Sequence, residues 1–148
     1  MLKVNKLSDD ASLPTRAHVD DAGADLKSSE SLTILPNTRA CVSTGISIEI
    51  IPPENLNNQI KYYARIAARS GLSIRNNIDI GAGVIDMGFR GEIKVVVINN
   101  SNVPFIINKG DKIAQLIIEL CLIPDIIEDV ELSNTIRGDN GFGSTGKN

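Results

Sequence analysis

The chain has 148 residues, 42% of them hydrophobic, and 18 acidic against 15 basic side chains give a net charge of −3. That length suits one domain with a real core, the mild acidity offers no electrostatic footprint for nucleic acid, and no apolar run approaches the ~20 residues of a membrane-spanning helix. One histidine, His18, and two distant cysteines, Cys41 and Cys121, exclude a zinc site and argue against a Ser-His-Asp or Cys-His triad.

The first ten residues lack the apolar stretch of a secretory signal, and Asp9, Asp10, Asp20 and Asp21 are foreign to a transit peptide. An intracellular setting, cytoplasm or nucleus, is therefore expected. Short alternating runs follow. Ile46, Ile48 and Ile50 are interleaved with Ser47 and Glu49, and Ile60, Tyr62, Ala64 and Ile66 alternate with Lys61, Tyr63 and Arg65. Ile93, Val95 and Val97 continue the pattern beside Glu92 and Lys94, and Ile113 to Leu120 and Ile126 to Val130 are further candidates. A period of two with β-branched residues predicts strands. Leu35-Pro36-Asn37, Pro52-Pro53-Glu54-Asn55, Asn99-Asn100-Ser101-Asn102 and Asn108-Lys109-Gly110-Asp111 supply the turns between them. Strands recurring about every ten residues predict an all-β sandwich or barrel. The one helix expected is short, over Ser70 to Asn76, with Ser70 as a candidate N-cap. With only two Tyr and three Phe the core must be aliphatic. Cys41 and Cys121, set among β-type apolar residues, are expected as reduced, buried thiols.

Four segments break the alternation with glycine and charge. They are Ala22-Gly23-Ala24-Asp25-Leu26, Ala68-Arg69-Ser70-Gly71-Leu72-Ser73, Gly81 through Glu92, and Gly110-Asp111-Lys112-Ile113-Ala114-Gln115-Leu116. A fifth, Arg137 to Asn148, holds four glycines and a single apolar side chain, Phe142, and cannot fold alone. It still carries an arginine, an aromatic ring and hydroxyls suited to gripping a base and phosphates. Gly141 to Lys147 spell G-x-x-x-x-G-K, but no Ser or Thr follows and no helix can, so this is not a P-loop.

These five segments, in this order, resemble the five motifs of the trimeric dUTPases (deoxyuridine triphosphate nucleotidohydrolases), over residues 22 to 146. The resemblance implies a distorted jelly-roll β-barrel over residues 1–132, a homotrimer, and a flexible C-terminal arm over 133–148 that closes over the active site. It implies Mg2+-dependent hydrolysis of dUTP to dUMP and pyrophosphate, limiting uracil in DNA and supplying dUMP for dTMP synthesis. It calls for no nucleic-acid or membrane partner. Three positions depart from the motifs: Ala68 replaces the usual proline, Phe89 the usual tyrosine, and Gly88 a frequent second acid.

Through the resemblance, Asp86 orients and activates the attacking water at the α-phosphorus. Phe89 stacks under the deoxyribose, where a ribose 2′-hydroxyl finds no room. The main chain around Gly83, Val84 and Ile85, with Lys94 on the returning strand, pairs with the uracil edge. Arg69, Ser70 and Gly71 meet the phosphates, and Gln115 meets the α-phosphate region. Asp25 supports Mg2+ through water, in keeping with an ion that retains most of its own waters. Asp111 is a turn residue, not a ligand. In the tail Arg137 grips the γ-phosphate, Phe142 covers the uracil, and Gly143, Ser144 and Thr145 present donors to the phosphates. Two other functions stand beside this one. A dCTP deaminase of the sister family would release ammonia, and a dUTP-sensing regulatory protein would bind without cleaving.

Overall fold

The computed structural model describes residues 1–54 and 59–141. In chain order the elements are β1 (Leu2–Lys6), β2 (Ala24–Lys27), β3 (Leu32–Ile34), β4 (Thr38–Ser43), β5 (Ile46–Ile50), β6 (Ile60–Ala67), α1 (Ser70–Asn76), β7 (Ile78–Gly81), β8 (Val84–Ile85), β9 (Lys94–Asn99), β10 (Phe105–Ile107) and β11 (Lys112–Leu122). The alternation read from the sequence is the reason these strands form. In β5, Ile46, Ile48 and Ile50 are buried while Ser47 and Glu49 are not, so one face of the strand is removed from water.

All strand pairs are antiparallel, and the described strands fall into four small sheets: β1-β5, β3-β10, β2-β11-β6-β8 and β4-β9-β7. Their inner faces share one aliphatic core that includes Leu26, Ile34, Val42, Ile46, Ile78, Val95, Val97, Ile107, Ile113 and Leu116. Each Leu or Ile removed from water there contributes about 1.5–3 kcal/mol. Three polar residues, Ser28, Thr44 and Asn99, are buried among the described residues, and the largest of them is fully satisfied. Asn99 donates through Nδ2 to the carbonyls of Ile34, Leu35 and Val103, and its Oδ1 accepts from Ser101.

Two departures from alternation prepare the site. In β11, the neighbours Ile113 and Ala114 are both buried. The register against β2 shifts there, since Lys112 faces Lys27 and Ala114 faces Leu26. Ile113 is the extra residue of a β-bulge. The second departure follows β7, which leaves its partner β9 after Gly81 so that β8 pairs with β6 instead. Ala82 (φ 56°) and Gly83 (φ 108°) make that crossing.

Three expectations are corrected. Ile126 to Val130 forms no strand: Ile126, Ile127 and Val130 are almost fully exposed, because no neighbouring strand among the described residues offers a ladder. Cys41 is exposed, because β4 turns Val42 inward and its neighbour outward, and Cys121 is half-buried. Ser70 is the first residue of α1 and not its cap; Arg69 holds the N-cap position and no side chain caps the helix.

Candidate active site

Residues from two strands, the helix and the segments that flank them converge on one cavity of about 680 Å³, lined by Gly23, Asp25, Arg69, Ser70, Arg75 and Gln115 among others. Register explains the meeting. Gln115 of β11 stands opposite Asp25 of β2 on one side and opposite Ala67 of β6 on the other. The next residues after β6 are Ala68 and the Arg69-Ser70-Gly71 turn into α1. Gln115 donates through Nε2 to the Ala68 carbonyl at 2.9 Å. Its amide lies over Gly23, where a Cβ would stand 2.1 Å from Oε1. Gly23 is thus the space that the Gln115 side chain occupies, and the polar residue in the apolar strand has the partner that burial demands.

Asp25 is the more enclosed member of its ion pair with Arg69, with a side chain 15% exposed. Its Oδ1 accepts from Arg69 Nε at 2.8 Å, and its Oδ2 pairs with Lys112 Nζ at 2.7 Å. Arg69 also donates through Nη1 to the Lys112 carbonyl at 3.3 Å. Burial pushes the Asp25 carboxyl up, but the bond from Lys112 and the charges of Arg69 and Lys112 outweigh it and hold the group below the usual carboxylate range. The carboxylate is therefore ionised at neutral pH.

Among the described residues no three of the types His, Cys, Asp and Glu gather to hold a metal ion. The cavity wall carries two carboxylates, Asp21 and Asp25. Both Asp25 oxygens already meet cations, so Asp25, of the two acids, is open only to contact through water and not to direct ligation.

The segment from Gly83 to Lys94 is the long connection of the hairpin formed by the paired strands β7 and β9, and within it β8 pairs with β6. Gly83 is buried, and its carbonyl accepts from Ile66 N at 2.8 Å. A Cβ there would stand 2.8 Å from the Ile66 carbonyl oxygen, so no side chain fits, quite apart from the positive φ. Asp86 is exposed, and its carbonyl accepts from Phe89 N at 2.9 Å to close the turn. Arg90 donates from Nη1 to the carbonyls of Met87 and Phe89 at 2.7 and 3.0 Å and approaches Glu49 of β5. The Phe89 ring is 44% exposed and folds over Gly91, where a Cβ would stand 2.6 Å from its Cζ. Lys94 begins β9 and pairs loosely with Glu92 at 3.5 Å.

The structure therefore brings together Asp25, Arg69, Ser70, Gly71 and Gln115. It sets the hairpin group, Gly83, Val84, Ile85, Asp86, Phe89 and Lys94, outside that cavity. Arg137 is likewise apart, in a local turn where its Nε donates to the Asn140 carbonyl at 3.0 Å. Phe142, Gly143, Ser144 and Thr145 lie outside the described residues. Asp111 caps its own turn by accepting from Asn108 N at 2.8 Å, as a turn residue should. Sequence reasoning assigned no role to Lys112 or Gly23, although both stand within the quoted motifs. The bulge that turns Lys112 toward Asp25 leaves no mark in the sequence beyond one broken alternation at Ile113-Ala114.

Outside the cavity, Glu119 of β11 receives Arg65 and Tyr63 of β6. Arg65 donates to it through Nε at 3.0 Å and Nη2 at 2.5 Å, and Tyr63 through its hydroxyl. The Arg65 bond first and the Tyr63 bond second hold the Glu119 carboxyl down at about 2.

Comparison with known proteins agrees across the chain. The dUTPase family pattern matches residues 9–146. Relatives described as deoxyuridine 5′-triphosphate nucleotidohydrolases include those of Candida albicans, Oryza sativa and Paramecium bursaria Chlorella virus 1. The first is 48% identical over 99% of this chain and 89% of its own length. The second is 44% identical over 99% and 81%, and the third 45% identical over 98% and 97%. Among solved structures, the dUTPase of Staphylococcus bacteriophage 80alpha with dUpNHpp superposes with a TM-score of 0.85 at 29% identity, covering 99% of this chain and 98% of that one. A point mutant of the dUTPase from phage phi11 of S. aureus, solved to show how it coordinates a structural Mg(II) ion, gives 0.77 at 28% identity, covering 90% and 99%.

Proposed function

This chain belongs to the dUTPase family, and from that premise we propose that it hydrolyses dUTP to dUMP and pyrophosphate by attack of water on the α-phosphorus. The observation that carries this is the convergence of Arg69, Ser70, Gly71, Gln115 and an ionised Asp25 on one open cavity. It is a receptacle with room for a chain of phosphates, with donors on its walls and, in Asp25, a shielded acid. Arg69 and Ser70 hold the phosphate chain, and Gln115 has a second amide hydrogen for the α-phosphate. Asp25 would be the residue to meet Mg2+ through its waters, and the ion would supply neutralisation of the triphosphate and polarisation of the phosphorus under attack. Asp86 orients the water and takes its proton. Geometry matters more than basicity here, since the electrophile is already polarised.

Substrate selection falls to the hairpin. Gly83 lets the main chain approach a flat base, and main-chain N–H and C=O groups of the Gly83-Val84-Ile85 stretch other than the Gly83 carbonyl, which Ile66 N occupies, imitate a pairing partner for uracil. Cytosine puts an amino donor where uracil has its 4-position carbonyl acceptor and would leave buried groups unpaired, at about 1–3 kcal/mol each. Phe89 keeps the ring of the usual tyrosine and blocks a ribose.

In one chain the cavity and the Asp86 hairpin do not share a wall. We propose that they meet between copies in a homotrimer built on a jelly-roll barrel, with the arm from residue 133 onward closing over the nucleotide through Arg137 and Phe142. Exposed apolar groups support this assembly. Val84 and Phe89 on the hairpin, and Ile126, Ile127 and Val130 after β11, stand exposed on the single chain.

One assay tests the function. Products are measured from dUTP, dCTP, dTTP and UTP, with and without Mg2+. Pyrophosphate from dUTP alone, dependent on Mg2+, is the expected result. Ammonia from dCTP would establish a deaminase, and dUTP binding without turnover a sensor.

A further inference from the structure

We infer that Lys112 is a positioning residue that prevents Arg69 from closing into a two-pronged grip on Asp25 and so keeps one Arg69 amino group, Nη2, aimed at the substrate. The inference rests on the function proposed above and concerns how that site is held ready.

The chain contains its own control. A guanidinium beside a carboxylate prefers the side-on fork, with Nε and Nη2 on the two oxygens. Arg65 does this: its Nε and Nη2 both reach Glu119, whose other neighbour is the neutral Tyr63 hydroxyl. Arg69 does not. Only its Nε reaches Asp25, through Oδ1 at 2.8 Å. The second oxygen is taken by Lys112 Nζ at 2.7 Å, and Nη1 is drawn to the Lys112 carbonyl at 3.3 Å. Nη2 has no partner among the described residues, and Arg69 lines the cavity.

Lys112 thus touches both members of the pair, with its ammonium on the acid and its carbonyl on the arginine. It does not itself line the cavity, so its effect passes through Arg69. The bulge is what makes this possible. Lys112 is three residues from Gln115, an odd separation that in a regular strand puts the two side chains on opposite faces. The extra residue Ile113 restores Lys112 to the face of Asp25 and Gln115. Bulges recur next to active sites because they re-aim a side chain in this way.

The test uses the full-length protein and the α,β-imido analogue of dUTP. Lys112→Met and Lys112→Gln are expected to bind it about 10- to 100-fold more weakly, the loss of one charge-assisted donor to phosphate. KM for dUTP rises in step, with a smaller change in kcat, and Lys112→Arg restores binding to within about twofold. A crystal structure of Lys112→Met is expected to show Nε and Nη2 of Arg69 both on Asp25. Unchanged analogue affinity in both neutral variants, an equal loss in Lys112→Arg, or an Arg69 still bonded through Nε alone would each overturn the inference. A parent protein that neither binds nor cleaves dUTP would instead defeat the proposed function.

Discussion

Separation of the cavity from the Asp86 hairpin makes a quantitative prediction about mixed assemblies. Asp86→Asn disables the hairpin and leaves the cavity whole. Arg69→Ala disables the cavity and leaves the hairpin whole. Loss of a general base costs about 10²- to 10⁴-fold, and loss of an arginine on the phosphates is of comparable weight. Each variant alone is therefore nearly inactive. Mixed at equal concentration, unfolded and refolded together, the two chains distribute at random. If each site takes its cavity from one copy and its hairpin from another, a site is intact when the first is the Asp86→Asn chain and the second the Arg69→Ala chain. Random pairing gives that arrangement in about one site in four for closed cyclic assemblies. The refolded mixture is expected to show about a quarter of parental turnover in a continuous pyrophosphate assay, far above either variant alone. A mixture no more active than the sum of its parts, with exchange of subunits verified by mass spectrometry, would refute the shared site. It would return Asp86 and Arg69 to a single chain.

Other outcomes follow from particular contacts. Gly83→Ala sets a Cβ against the Ile66 carbonyl at a positive φ, so urea unfolding should show a loss of about 1–3 kcal/mol; a change below about 0.5 kcal/mol would mean that the crossing is not constrained. Phe89→Ala removes the ring expected to exclude a 2′-hydroxyl, a discrimination of about 1–3 kcal/mol, and the ratio of kcat/KM for dUTP over UTP should fall at least several-fold. An unchanged ratio would assign selection to another group. Glu119 is held down at about 2 from an ordinary 4.5 by Arg65 and Tyr63. Its contribution to stability is complete above the higher value and is lost as pH falls toward the lower one. Asp25, also lowered, acts in the same direction. Urea midpoints should therefore decline on acidification through that window, and Glu119→Gln should flatten the decline; an identical acid limb in the variant would exclude the Glu119 cluster as a source.

Much of this architecture is legible in local pattern. Ile46, Ile48 and Ile50 alternate with polar residues because one face of β5 is dry, and the same holds along β9. The glycine- and charge-bearing segments supply the candidate residues that the structure brings to the cavity, Asp25, Arg69, Ser70, Gly71 and Gln115. Where the local pattern misleads, a partner is the missing term. Ile126 to Val130 has the composition of a strand, but a strand exists only beside another, and the described residues supply none. Cys41 sits among apolar neighbours, yet parity along β4 turns it outward.

The sequence by itself determined the all-β class, the aliphatic core, the family and the inventory of acids, arginines and glycines that the chemistry needs. Periodicity and residue type are local properties, and they survive without a fold. Only the tertiary structure decided which of those residues meet. It placed Gln115 over Gly23, divided the cavity from the hairpin, and used a single extra residue at Ile113 to carry Lys112 across to Asp25. Registers and bulges are relations between strands distant in sequence. Their energies come from packing and pairing over the whole sheet, so no stretch of residues contains them.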